Sequence, residues 1–179
     1  ARSSDPGFRV ANVLTMGFDP RIARYDLQQT RVFYRQLLER VRLLPGVRSA
    51  ALGQQLPLGV ESSATEIAID GYQATPAQET LTIGSSIVSS HYFDAVGIPI
   101  VRGRAFDAGD TEIAPKVAIV NEAMAAKYWP TRDPLGATLT LRSRTAEKVV
   151  IVGVARQSKT RDVGETPQPF LYLPFEQNS

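Results

Sequence analysis

Residues 88–130 read VSSHYFDAVGIPIVRGRAFDAGDTEIAPKVAIVNEAMAAKYWP, and this stretch decides the fold. Ser89 or Ser90 can accept a backbone N–H at the start of a short helix. Tyr92, Phe93 and Val96 then share one face at three- and four-residue spacing, and Gly97 is placed to end the helix. A helix of about two turns does not persist alone, so this one must lie on something. Ile98 to Val101 reads as a short apolar strand broken by Arg102-Gly103-Arg104. Phe106 heads an acidic turn holding Asp107, Gly109 and Asp110. Val117 to Val120 is a second apolar strand, Asn121 is a good N-cap, and Ala123 to Trp129 forms another short helix stopped by Pro130. Everything here supplies turns, caps and packing, which is the vocabulary of a scaffold.

Working outward, Val10 to Phe18 mixes β-branched and apolar residues up to Asp19-Pro20 and is expected to be a buried strand. From Asp26 as N-cap to Leu44, Phe33, Leu37, Val41 and Leu44 recur every three or four residues. Gln28, Arg31, Arg35, Glu39 and Arg42 form the opposite face. Pro45-Gly46 stops this helix, and Val47 to Leu52 is expected as the next strand, giving a β-α-β unit with parallel strands. Thr65 to Ile69 and Leu81 to Val88 alternate as antiparallel strands around the Gly71 to Ala77 turn region, after an irregular stretch starting at Leu56. Ala137 to Arg142 and Val149 to Val154 form a hairpin turned at Arg144 to Glu147. Phe170 to Leu173, bracketed by Pro167 and Pro174, suits a sheet edge. The fold class is α+β.

The chain has 179 residues, 43% of them hydrophobic, enough to bury roughly two-thirds of its unfolded surface in one domain or two small subdomains. Its longest apolar runs fall well short of the roughly 18 to 20 residues of a membrane helix. With no cysteine, disulfides, thiol catalysis and cysteine-ligated metals are excluded. The 20 basic and 18 acidic groups leave only +2, but their distribution is uneven. Residues 1–50 carry nine arginines against four acids, residues 51–101 carry five acids and no Lys or Arg, and residues 102–179 carry eleven basic and nine acidic groups. The N-terminal arginines sit mostly on the polar face of one helix and lack the aromatic or polar readers of a nucleic-acid surface, so no nucleic-acid partner is expected.

Reactive constellations are sparse. His91 with Asp94 offers two metal ligands where a zinc site needs three or four. Asp107, Asp110 and Glu112 lack the spacing of an EF-hand and read as a solvated turn. There is no Gly-x-Ser-x-Gly elbow, Walker A loop or dinucleotide fingerprint. Glu61 and Glu66 are two acids that nothing in the sequence brings together. Tyr128 and Trp129 fit either the core, by spacing after Met124, or an interface, where such side chains are favoured anchors. Arg102 and Arg104 are a basic pair at a strand end. No catalytic, cofactor-binding or metal residue is assigned, and no cofactor is expected.

Three phrases carry a family resemblance: VSSHYFDAVGIPIVRGRAF, APKVAIVNEAMAAKYWP with DPLGATLTL, and KVVIVGVARQSKTRDVGETPQPFLYLPF. Together with PGFRVANVLTM and VFYRQLLERVRLLPGVRSAALGQQLPL they resemble the extracytoplasmic core domain of MacB/FtsX-type ABC transporter permeases, in the variety abundant in Acidobacteria. The resemblance implies a Porter-like β-α-β unit at 8–58 and a mostly antiparallel Sabre-like subdomain with short helices at 60–165. An edge strand and C-terminal end follow at 166–179. A second Porter-like unit is expected after Phe175 and is not found before Ser179, which would leave an apolar face and a sheet edge open to a second copy. The resemblance further implies a domain at the periplasmic face of the inner membrane, tethered between membrane helices and without catalysis of its own. Its partners would be a cytoplasmic ATPase, a periplasmic adaptor or substrate, and a second permease copy. The competing reading is a free-standing periplasmic binding module or hydrolase with a site between the subdomains.

Overall fold

A computed structural model describes residues 7–9, 11–19, 22, 24–54, 63–72, 80–142, 146–158 and 166–178. Its seven strands are β1 (Ala64–Ile69), β2 (Leu81–Val88), β3 (Ile100–Gly103), β4 (Val117–Asn121), β5 (Thr138–Arg142), β6 (Ala146–Ala155) and β7 (Phe170–Pro174). The helices are α1 (Leu27–Arg42), α2 (Tyr92–Val96), α3 (Glu122–Tyr128) and α4 (Phe175–Asn178). The sheet order is β3-β6-β4-β7-β2-β1-β5, and β5 pairs again with β6. Six strands therefore close into a ring, β6-β4-β7-β2-β1-β5, and β3 lies outside it, paired with β6 on one side. The ten residues of β6 make closure possible: Ala146 to Val150 pair with β5, while Gly153 to Ala155 pair with β3 on that same side.

Period-two alternation sorts the side chains. Ile67, Ile69, Ile83, Leu139, Leu141, Val149, Ile151, Leu171 and Leu173 point inward with Ala118 and Val120, and α3 adds Met124 and Tyr128, with Trp129 at its C-cap. On the outer face of β4 and β7, Ile119, Phe170 and Tyr172 are covered by Tyr92, Phe93 and Val96 of α2 and by Phe106. Thus β4 and β7 are buried on both faces, and this is why VAIV and FLYL are continuous apolar runs.

Most local expectations hold. Asp26 caps α1 in a capping box with Gln29, Asn121 caps α3, and Gly97 ends α2 in the left-handed region at φ 70°. β1 and β2 are antiparallel, and β5 and β6 form the expected hairpin.

Four readings are corrected. β7 is not an edge: it lies between β2 and β4, and its prolines are tolerated because Pro167 and Pro169 precede the strand and Pro174 is its last residue. Ser89 and Ser90 do not cap α2, whose N-cap is His91 without a side-chain bond; Ser89 Oγ instead accepts the Leu52 N–H at 2.9 Å. The described residues of 10–18 form no strand, and neither does 47–52, where the one ladder contact is an isolated bridge from Gly53 to Val88. The helix of the N-terminal unit is present, but without the parallel strands expected beside it no residue of α1 is buried. Leu14, Ile22 and Leu43 are 87%, 85% and 84% exposed. The irregular stretch from Leu56, Glu61, most of the Gly71–Ala77 turn and part of the Arg144–Glu147 turn lie outside the described residues.

Close backbone approach fixes β3 on β6. Gly103, at φ 71°, faces the Val152 carbonyl, and a Cβ there would collide with it; a Cβ on Gly153 would meet the Arg104 carbonyl. Arg102 and Gly103, expected to break this strand, are thus its last two residues, and Gly103 is a contact residue.

Candidate functional site

A cleft of about 340 Å³ lies between α1 and one end of the ring. Helical spacing puts Arg31, Arg35, Leu38, Glu39 and Arg42 on the same side of α1, and that side is one wall. Glu112, Glu176 and the hydroxyls of Ser89, Ser90 and Thr111 form the other, over a floor that includes Leu52 and Phe175. Side-chain contacts join α1 to the residues opposite. Arg31 Nη1 meets Glu112 Oε2 at 2.9 Å, and the Tyr34 ring meets that of Phe175 edge-on with centroids 5.9 Å apart. Arg42 is turned to its own chain, its Nε and Nη2 donating to the Ala50 carbonyl at 3.3 and 3.0 Å. Three arginines face three glutamates across the whole lining, so the cleft selects neither sign of ligand.

The acidic turn is disassembled by pairing. Arg104 reaches Asp110 through two bonds of 2.8 and 2.7 Å, while Glu112 goes to Arg31. Among the described residues no three His, Cys, Asp or Glu side chains are grouped to hold a metal. His91 is exposed at the start of α2. Arg102 pairs with Asp133 at 2.9 Å, so neither arginine of the RGR motif is an open anion site. Trp129 and Tyr128 are both core residues.

The electrostatics favour structure over chemistry. Burial alone would raise the Asp110 carboxyl, but the Arg104 bonds, the Asp107 N–H and the guanidinium charge together hold it below the ordinary carboxylate range. Its side chain is 5% exposed. A depressed folded pKa contributes stability that is present above the unfolded value of about 3.9 and lost as pH falls through the folded value. In acid titration of stability, wild type is expected to weaken from about pH 4 downward, and Asp110→Asn to lose part of that slope while being less stable at about pH 7. Equal slopes for the two proteins would refute this. Burial raises both Tyr92, which also faces Tyr172, and Tyr172 itself, the latter to about 12 despite a bond with Ser158. Both phenols therefore stay neutral and serve as packing.

What the sequence does not announce is Gln177 and the bonds that Asn121 makes beyond its cap. The Gln177 amide takes the Val117 N–H and donates to the carbonyls of Thr111 and Pro115, clasping α4 to the start of β4. Asn121 is fully engaged beyond its cap: Oδ1 also accepts the Phe170 N–H at 3.0 Å, and Nδ2 donates to Gln157 Oε1 and the Gln168 carbonyl, each at 2.7 Å.

Among described residues no helix is long and apolar enough to cross a membrane. The family described as MacB-like periplasmic core domain matches residues 8–179. The macrolide export ATP-binding/permease protein MacB of Neisseria gonorrhoeae is 27% identical over 114 residues, which are 64% of this chain and 17% of that protein. MacB of Neisseria meningitidis serogroup A matches to the same extent. This chain thus spans about a sixth of the length of those relatives. The crystal structure of the periplasmic region of MacB from Actinobacillus actinomycetemcomitans superposes with a TM-score of 0.56 at 17% identity, covering 90% of this chain and 62% of that one. The extracellular domain of the ABC-type transporter YknZ from Gram-positive bacteria gives 0.52 at 17% identity, covering 78% of this chain and 61% of the other. At that identity the two structures establish a shared fold. With residues 8–179 matched, the chain belongs to the family of MacB-like periplasmic core domains.

Proposed function

We propose that this domain carries movement of the permease's membrane helices, driven by a cytoplasmic ATPase, to the binding of a substrate or partner protein outside the inner membrane. The observation that carries the reading is the closed ring. Its inner face is filled by side chains from all its strands and by α3, so it moves as one body and transmits displacement without absorbing it. We assign the segments 8–58 and 60–165 to a Porter-like and a Sabre-like subdomain, with β7 joining the latter. A periplasmic adaptor and a second permease copy are the partners this reading requires. Coupling needs only that each partner bind the two positions of the domain with different affinity.

The test is made in the full transporter in membranes, with single cysteines at the exposed Thr82 and Asp94, since this chain has none of its own. Cross-linking between copies is expected to change between nucleotide-free and ATP-trapped states, and to stop changing when the ATPase is inactivated. Identical cross-linking in both states would overturn the proposal. The alternative, a free-standing periplasmic module with a site between subdomains, draws on the cleft. Its balanced charge names no ligand, and turnover or tight binding of a compound by the isolated chain would favour it.

A further inference from the structure

We infer that α2 is a fixed joint: the segment that carries α1 leaves one end of α2 and returns to the other, and segment and ring move together through that seat. This rests on the coupling role and deepens it, by naming where displacement passes into the ring. At the C-terminal end of α2 the Arg9 N–H donates to the Val96 carbonyl at 2.7 Å. Gly7, at φ 79°, lies so close to the Gln157 carbonyl that a Cβ would collide with it, and a Cβ on Gly97 would lie 3.1 Å from that of Arg9. Phe8 packs on the outer aromatic cluster. At the N-terminal end, Ser89 accepts the Leu52 N–H on its Oγ at 2.9 Å and donates its own N–H to the Leu52 carbonyl at 3.0 Å. The Gln54 N–H reaches the Ile87 carbonyl at 2.8 Å, and Ala51 joins Phe8 on the same cluster.

The element between the two seats is rigid. With five residues α2 is too short to persist alone, and it is held by Tyr92, Phe93 and Val96, all buried. The Phe93 ring meets Tyr172 of β7 with centroids 5.0 Å apart and Phe106 at 6.1 Å, and Val88 of β2 is buried in the same cluster. Side chains packed in this way pass a displacement on as a unit. Ser89 is 1% exposed, so its two bonds to Leu52 are shielded from water. α1 also touches the ring through Arg31–Glu112 and Tyr34–Phe175. An ion pair whose glutamate side chain is 64% exposed is weak and screened by salt, and it holds a side chain where the seats hold the backbone. Ser89 and Gly97, which bracket the SSHYFDAVG phrase, are thus the residues that receive the returning and the departing chain.

Two measurements on the full transporter in membranes decide this. In the unsubstituted protein, amide hydrogen exchange at Arg9, Leu52 and Gln54 is expected to be as slow as in β2 and β7, both without nucleotide and with ATP trapped. Fast exchange at either seat in either state would overturn the inference. The pair Arg9→Cys with Gly97→Cys brings two Cβ atoms near the separation of about 3.8 Å that a disulfide needs. It is expected to close to the same extent in both nucleotide states, with no loss of ATP hydrolysis on oxidation. Closure in one state only, or hydrolysis lost on oxidation and regained on reduction, would show that the seat opens during the cycle and that α2 is no fixed joint. The left-handed backbone at Gly97 strains any side chain, and the exchange measurement, which needs no substitution, decides the matter if the pair fails to fold. Neither readout depends on cross-linking between copies at Thr82 and Asp94, so an unchanging cross-link there would end the coupling role and leave the joint to be decided on its own.

Discussion

Ile119→Ala is expected to cost about 3 to 4 kcal/mol, while Leu37→Ala costs less than about 1 kcal/mol, although the sequence marks both as apolar face residues. Ile119 is 0% exposed in the middle of β4. It packs against the outer aromatic cluster, and one of its methylenes lies 3.2 Å from where a Cβ on Gly153 would sit. The cavity left by its truncation cannot collapse, because β6 and β7 hold β4 on both sides. Leu37 sits on a helix with no buried residue, and its truncation removes contacts that water can already reach. For a chain of this length each kcal/mol moves the midpoint by about 2 to 4 °C, so thermal unfolding should separate the two variants by roughly 5 °C or more. Similar losses in urea and heat titrations would mean that α1 shares the core of the ring.

The same contrast explains which elements were legible. The hairpin of β5 and β6, the β1–β2 pair and the capped helices α1 and α3 are encoded within a few residues of themselves, by alternation, turn signals and an N-cap. Strands 10–18 and 47–52 read equally well in isolation, yet β-propensity is a statement about fitting a pleated, half-buried surface. Here the flank of α1 offers no such surface, and the ring is already closed by its own six strands. For β7 the proline cue misleads, because what limits proline in a sheet is which N–H groups the ladder needs, and Pro174 stands at the strand's last position. The parallel pairings of β2 with β7 and of β4 with β6 join residues far apart in the chain, and no local pattern announces them. Much the same holds for the cleft. Arg31, Arg35 and Arg42 were legible as one face of a helix, whereas Glu112 and Glu176 could be placed opposite them only by the tertiary fold.

Asn121→Ala is the second large effect, about 3 kcal/mol, and it arises from polar atoms. Losing the side-chain oxygen removes the α3 cap, worth about 1 kcal/mol, and leaves the buried Phe170 N–H without its partner, worth about 1 to 3 kcal/mol. The two terms share one atom and need not add. Asn121→Asp separates the functions of the amide. Its carboxylate keeps both accepted bonds, from the N–H groups of Met124 and Phe170, but replaces the Nδ2 donor with an acceptor facing Gln157 Oε1 and the Gln168 carbonyl. That arrangement favours the protonated acid, so the folded pKa of the introduced carboxyl should lie above its unfolded value. Stability of the variant relative to wild type is then lowest at about pH 7 and recovers as pH falls through the raised folded pKa toward about 4, opposite in sign to the contribution of Asp110. If Asn121→Asp matched wild type at both pH values, the bonds from Nδ2 would be incidental. The backbone bonds from Gln157 N–H to Glu122 and from Phe170 N–H to residue 121 would then suffice to hold these residues beside β4 and α3.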